Sequence, residues 1–184
     1  AALGFLIAGI AGAIIIKPDL VWYAQDRLRY WIDPWEDPRG LGHQVIQSIY
    51  AIGSGGLFGL GIGNSRQKHL YLPEPQNDFI FAIVCEELGF IGALMVIFLF
   101  IALMWRGAVI ACKAKDRFGS MLVVGIITQV TVQAALNIAV VTKTIPNTGI
   151  SLPFFSYGGT SLMMLLGEMG VVLSVSRQSS INTG

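Results

Sequence analysis

The stretch on which the reading of this chain turns is Leu72-Pro73-Glu74-Pro75-Gln76-Asn77-Asp78-Phe79-Ile80-Phe81-Ala82. A polar, proline-punctuated loop ends in the carboxylate of Asp78, and the sequence turns apolar from Phe79 onward. Residues 88–105 then contain no Asp, Glu, Lys or Arg, and neither do 1–16, 118–142 and 144–167. The chain of 184 residues is 54% hydrophobic and 12% charged, against roughly 25% charged in soluble domains. A spanning helix needs roughly 17–25 mostly apolar residues. The pattern predicts an all-α integral membrane protein with about four transmembrane helices and one large extracytoplasmic loop carrying short amphipathic helices. Asp78 falls where that loop meets a span, so it either caps the helix or does chemistry.

Charge around the spans sets their orientation. Arg106, Lys113, Lys115 and Arg117 crowd a short connection that only Asp116 offsets. Positive charge in short loops marks the cytoplasmic side. The expected order is therefore span 1 at 1–17, an outer loop at 18–78, span 2 at 79–105 and a cytoplasmic loop at 106–117. Span 3 at 118–141, an outer loop at 142–156, span 4 at 157–176 and a disordered cytoplasmic tail at 177–184 complete it, all within one membrane domain. The 18–78 segment mixes both signs of charge, and long loops translocate largely regardless of charge. Within it, Leu20 to Ile32 mixes Trp22, Tyr23, Tyr30 and Trp31 with charges, a pattern typical of the membrane–water interface. His43 to Ile52 carries an amphipathic helical stripe. The opening Ala1-Ala2-Leu3, already apolar, reads as a fragment that starts inside a span.

Several chemistries are set aside. A net charge of +1 with no basic cluster gives no sign of nucleic acid. His43 and His69 have no cysteine partners at ligand spacing, so no zinc site is readable, and Cys85 and Cys112 fall at different depths. Six glycines occur between Gly53 and Gly63, but no Gly-Lys-Ser/Thr follows, which rejects a P-loop. The same glycines would allow close backbone approach. A second use is to hold a phosphate on their N–H groups with Arg66 and Lys68.

The acidic residues divide by position. Asn77 or Asp78 would cap the second span, and a carboxylate there suits the helix dipole. Glu86 and Glu87 lie about 12 Å further along the axis at 1.5 Å per residue. Carboxylates at such depth cost roughly 2.5–3.5 kcal/mol and face a cavity or a partner. Glu168 is deeper still and needs a partner or a proton. Lys143 is a counter-ion candidate for Asp78, a contact for an anionic ligand, or a solvated turn lysine. Thr128, Gln129, Thr131, Gln133 and Asn137 make span 3 unusually polar, which fits hydrogen bonding between helices.

Taken together, these stretches resemble the SEDS family (shape, elongation, division and sporulation), the FtsW, RodA and SpoVE proteins. The resemblance rests on Asp33-Pro34-Trp35, Gly55-Gly56-Leu57-Phe58-Gly59, Gln67-Lys68 through Leu72-Pro73-Glu74, and Asn77-Asp78-Phe79-Ile80-Phe81-Ala82. Glu86-Glu87-Leu88-Gly89-Phe90-Ile91-Gly92 and Leu152-Pro153-Phe154-Phe155-Ser156-Tyr157-Gly158-Gly159 complete it. Ser65-Arg66-Gln67-Lys68 and Pro73 to Asp78 place the chain nearest the division and sporulation branch. The resemblance implies a ten-helix multi-pass protein of the bacterial cytoplasmic membrane, of which this would be the last four spans. It implies a glycosyltransferase that polymerises lipid II into peptidoglycan on the outer face, with a class B penicillin-binding protein as partner. It maps the family's essential aspartate onto Asp78 as general base. Candidate substrate contacts are Arg66, Lys68, Glu74, Glu86, Glu87, Lys143 and Ser156. The leaving pyrophosphate needs cations, and a divalent metal would serve, although no metal motif is visible. Cys85, Lys143 and Glu168 depart from the family's pattern at their places.

Two rival readings come from other classes. In a lipid II flippase or transporter, Glu168 and Glu86 would be the working groups. In a non-catalytic scaffold for a penicillin-binding protein, Asp78 would only cap.

Overall fold

A computed structural model describes residues 18–38, 40–64 and 78–181. The expected first span, and with it most of the family's loop motif between Ser65 and Asn77, lies outside the described residues. Among the described residues there are helices and no strand. The chain divides into two compact units, Ala1–Ile46 and Gln47–Gly184.

In the first unit, α1 covers Pro18–Ile32 and a short 3-10 turn covers Pro34–Glu36. Asp33 organises the turn, its Oδ1 accepting from the Trp35 N–H at 3.1 Å. Pro34 at the first position supplies a preset φ where no donor is needed. The Arg29 guanidinium then reaches seven residues on to pair with Glu36. That pairing holds the Glu36 carboxyl below its ordinary range.

Helix α2 covers Leu41–Gly55. Three further helices carry the second unit: α3 at Ile80–Cys112, α4 at Arg117–Val141 and α5 at Gly159–Ile181. All three are long and apolar enough to cross a membrane, which makes this an integral membrane protein. Their surfaces agree with that: Phe98 is 67% exposed, Met163 71% and Leu173 67%. Such apolar faces have no place in water and suit lipid or further helices.

Two boundaries differ from the sequence reading. Arg106 lies within α3, which continues to Cys112, so the connection to α4 is only 113–116. Asp116 closes it, its carboxylate accepting from the Gly119 N–H at 3.0 Å, while Ser120 Oγ donates to the Ala111 carbonyl at 2.8 Å. The expected disordered tail is helical as far as Ile181, because no glycine or proline interrupts the segment.

Phe79, Phe81, Ala82 and Cys85 at the start of α3 pack with Val96 and Phe100, with Val130, Ala134 and Val141 of α4, and with Leu152. Phe79 and Phe81 are 1% and 2% exposed. Burying such a ring contributes about 1.5–3 kcal/mol, so the residues immediately after Asp78 pin the loop-to-helix junction.

Helix α3 is not continuous. Gly89 stands at φ 69, ψ −168 inside it, separating a short helix at 80–88 from a long one at 90–112. The long part spans about 34 Å at 1.5 Å per residue, enough for a hydrocarbon core of about 30 Å. Glu86 and Glu87 sit on the turn before the break. The cost expected of carboxylates deep in a continuous span does not follow for them.

Candidate functional site

The glycine-rich stretch explains the break. A helix running through Gly89 would bond the Phe90 N–H to the Glu86 carbonyl and the Ile91 N–H to that of Glu87. Instead the loop after α2 inserts into the gap. Leu60 and Gly61 donate to the carbonyls of Glu86 and Glu87 at 2.9 and 3.0 Å. Phe90 and Ile91 donate to those of Gly56 and Leu57 at 2.9 and 3.3 Å. All four groups freed by the kink thereby find partners, as buried backbone requires. The two chains meet so closely that a Cβ on Gly59 would overlap the Glu87 carbonyl, and one on Gly89 would overlap the Gly59 nitrogen. Both glycines also have positive φ. Close backbone approach, read from the sequence, is what these glycines provide. The N–H groups of Gly59, Leu60 and Gly61 are engaged with Gly55, Glu86 and Glu87.

Asp78 is half-buried immediately before α3. The N-cap position is Phe79, which makes no side-chain cap bond, so the cap expected at Asn77 or Asp78 falls one residue later. The main chain of Asp78 is held from α4. Asn137 of α4, 0% exposed, donates through Nδ2 to the Asp78 carbonyl at 2.8 Å and to the Ile150 carbonyl at 2.7 Å. One turn earlier Gln133 donates to the Ser151 carbonyl at 3.1 Å. The segment held this way passes beside the carboxylate: a Cβ on Gly149 would lie 3.7 Å from Asp78 Oδ2. Asp78 and the 149–151 segment therefore form one corner, with Gly149 on its exposed side.

The other predicted residues fall around this corner in different ways. Ser156 closes the turn after Leu152. Its Oγ accepts from the Leu152 N–H at 2.7 Å, and its own N–H donates back to the Leu152 carbonyl at 3.1 Å. Inside that turn Phe154 takes φ 66, a left-handed conformation that non-glycine residues adopt at a cost. Ser156 and Glu87 meet in the walls of a cavity of about 650 Å³. Ile80, Ile83 and Val84 of α3 and the Phe154–Gly159 turn supply most of its lining. Glu87 Oε1 is buried without a hydrogen-bond partner among the described residues. Glu86 is 1% exposed and its backbone is part of the stitched break. Lys143, just past the cap of α4, takes φ 59, at the start of the connection that reaches Asp78. Arg66, Lys68 and Glu74 lie outside the described residues.

The polar residues of span 3 do more than join helices. Gln129 Nε2 donates to Glu168 Oε1 of α5 at 3.4 Å, as expected of a contact between helices, while Glu168 Oε2 is buried without a partner among the described residues. Thr131 bonds back to Ile127 on its own helix. Gln133 and Asn137 hold loops. Asn137 stood in the sequence only as one more polar residue in a span. Its partners 59 positions before and 13 after have no local signature.

The model of the cell cycle protein family of FtsW, RodA and SpoVE matches residues 2–181. This chain belongs to that family. It is 54% identical over 173 residues to stage V sporulation protein E of Bacillus subtilis, covering 94% of this chain and 46% of that protein. Against a probable peptidoglycan glycosyltransferase FtsW of Trichlorobacter lovleyi the identity is 46% over 177 residues, covering 93% and 46%. The chain thus spans about half the length of these curated relatives. A solved structure described as "Structural coordination of polymerization and crosslinking by a peptidoglycan synthase complex" matches with TM-score 0.67 and 27% identity. That match covers 97% of this chain and 49% of the other.

Proposed function

We propose that the full-length protein polymerises lipid II into peptidoglycan glycan strands, with Asp78 as the general base. The observation that carries this is the corner at Asp78. Its carbonyl is locked by a buried amide and its neighbours Phe79 and Phe81 are buried, yet its carboxylate lies beside exposed Gly149. Asp78 would take the proton of the acceptor sugar hydroxyl as that oxygen attacks the donor sugar. The donor's bond to undecaprenyl pyrophosphate breaks, and the pyrophosphate leaves with the electron pair. Such a base contributes about 10²–10⁴-fold. Relatives bearing the name peptidoglycan glycosyltransferase support the reaction class. The basic stretch around the 113–116 connection, read as cytoplasmic, supports an extracytoplasmic Asp78. The likeness to a chain of a peptidoglycan synthase complex supports a class B penicillin-binding protein as partner.

A divalent cation would neutralise the leaving pyrophosphate. Among the described residues no three His, Cys, Asp or Glu come together to hold one. Glu74, Arg66 and Lys68 remain candidates for substrate contact, with Glu87 and Ser156 placed in the cavity wall and Lys143 at the head of the 142–153 connection.

The test uses the full-length protein with its penicillin-binding partner. Asp78→Asn keeps the size and shape of the side chain, so it should fold normally and lose glycan polymerisation from lipid II by about 10²-fold or more. Near-normal polymer from a well-folded variant would sink the assignment. Transport is favoured by one observation, the buried Glu168 oxygen without a partner among the described residues. It requires instead that Glu168→Gln give the larger defect in a lipid translocation assay.

A further inference from the structure

Asn137 is wholly buried in the middle of an apolar helix face, where an amide is costly unless its polar atoms are used. Its two N–H groups are used, and both go to main-chain carbonyls outside regular structure: Asp78 before α3 and Ile150 after α4. The amide thus ties together two carbonyls that lie outside the helices. Gln133, four residues earlier and hence on the same face, holds the adjoining Ser151 carbonyl. Asn147 Oδ1 accepts from the Gly149 N–H at 3.0 Å and shapes the same segment. Asn137 Oδ1 is itself left buried without a partner among the described residues. Shape or core packing alone would not ask for this residue.

From this geometry we propose that Asn137 is a positioning residue for the reaction, setting the Asp78 carboxylate against the 147–151 wall at which substrate must arrive. The proposal rests on the reading of Asp78 as general base. Asn137 touches no reacting atom; it acts through the carbonyl of Asp78 and through the wall that faces that carboxylate. Gln133 secures the wall alone, so its removal displaces the wall while leaving Asp78 tied to α4.

The test is steady-state polymerisation of lipid II by the full-length protein with its partner. Asn137→Leu keeps the branched shape and loses both donors. It should lower kcat by about 10- to 100-fold, the cost of a displacement near 1 Å, with KM for lipid II unchanged. Asn137→Ser, which retains one donor, should recover part of the loss, and Gln133→Leu should cost less than Asn137→Leu. In an Asp78→Asn background, Asn137→Leu should add no further loss, because there is no base left to misplace. An unchanged kcat, a loss confined to KM, or the same fold-loss on both backgrounds would overturn the proposal. Should Asn137→Leu fail to fold, the ordering of Asn137→Ser and Gln133→Leu decides it, and equal full activity in both overturns it. Full activity of Asp78→Asn defeats the general-base reading, whereas a dead Asp78→Asn beside a fully active Asn137→Leu defeats only the positioning role.

Discussion

Lys143 holds a backbone conformation that glycine would adopt more cheaply. Thr142 caps α4, and the N–H groups of Lys143 and Thr144 return to the carbonyls of Val140 and Ala139 at 3.0 and 2.8 Å. That pairing is the Schellman closure, in which the residue at Lys143's position is left-handed and usually glycine. A side chain there costs about 1–2 kcal/mol. Lys143→Gly should therefore raise the stability of the full-length protein by about 1 kcal/mol, read as a higher melting temperature in detergent. A lower melting temperature would show that the lysine side chain contributes more than its backbone costs. Polymerisation that falls while the melting temperature rises would mark Lys143 as a contact for anionic substrate. The sequence shows Lys143 as out of pattern. Its left-handed φ depends on where α4 stops, and nothing beside Lys143 announces that stop.

At the scale of elements, the decisive feature is the exchange of hydrogen bonds between the glycine loop and the break in α3. It makes two glycines of the same chain behave oppositely. Gly89 is at positive φ with backbone against it, whereas Gly53 lies in α2 with nothing within 4 Å of where its Cβ would be. Gly89→Ala should cost at least about 2 kcal/mol, through strain and loss of the stitched pairs. Gly53→Ala should be neutral or stabilise by up to about 1 kcal/mol. Thermal unfolding of the two variants measures both; equal effects would mean that the loop is not docked on the break. The glycine cluster, the apolar run from Leu88 and the turn residues were all legible along the chain. Their mutual insertion was not, because a helix break repaired by a distant loop leaves each segment locally unremarkable.

At the scale of the molecule, the long helices present more apolar surface than they bury against one another. Phe98, Met163 and Leu173 are among the exposed residues, and the chain covers 46% of stage V sporulation protein E. Residues 1–184 alone, reconstituted with the penicillin-binding partner, should therefore yield no glycan polymer from lipid II; measurable polymer would contradict this. The linear pattern of the chain is enough for the membrane class, the helical content and the family, and three long apolar helices stand where spans are expected. These follow from the bilayer's demand for long uncharged runs, which is a linear property of the chain. It also singled out Asp78, because a carboxylate at a loop-to-helix junction is visible in one dimension. What holds the Asp78 carbonyl and what lies beside its carboxylate arise on folding. Asn137 and Gly149 meet Asp78 across wide gaps in sequence, and a hydrogen bond to a main-chain carbonyl imposes no residue type on its acceptor. Such contacts leave no pattern to read until the chain has folded.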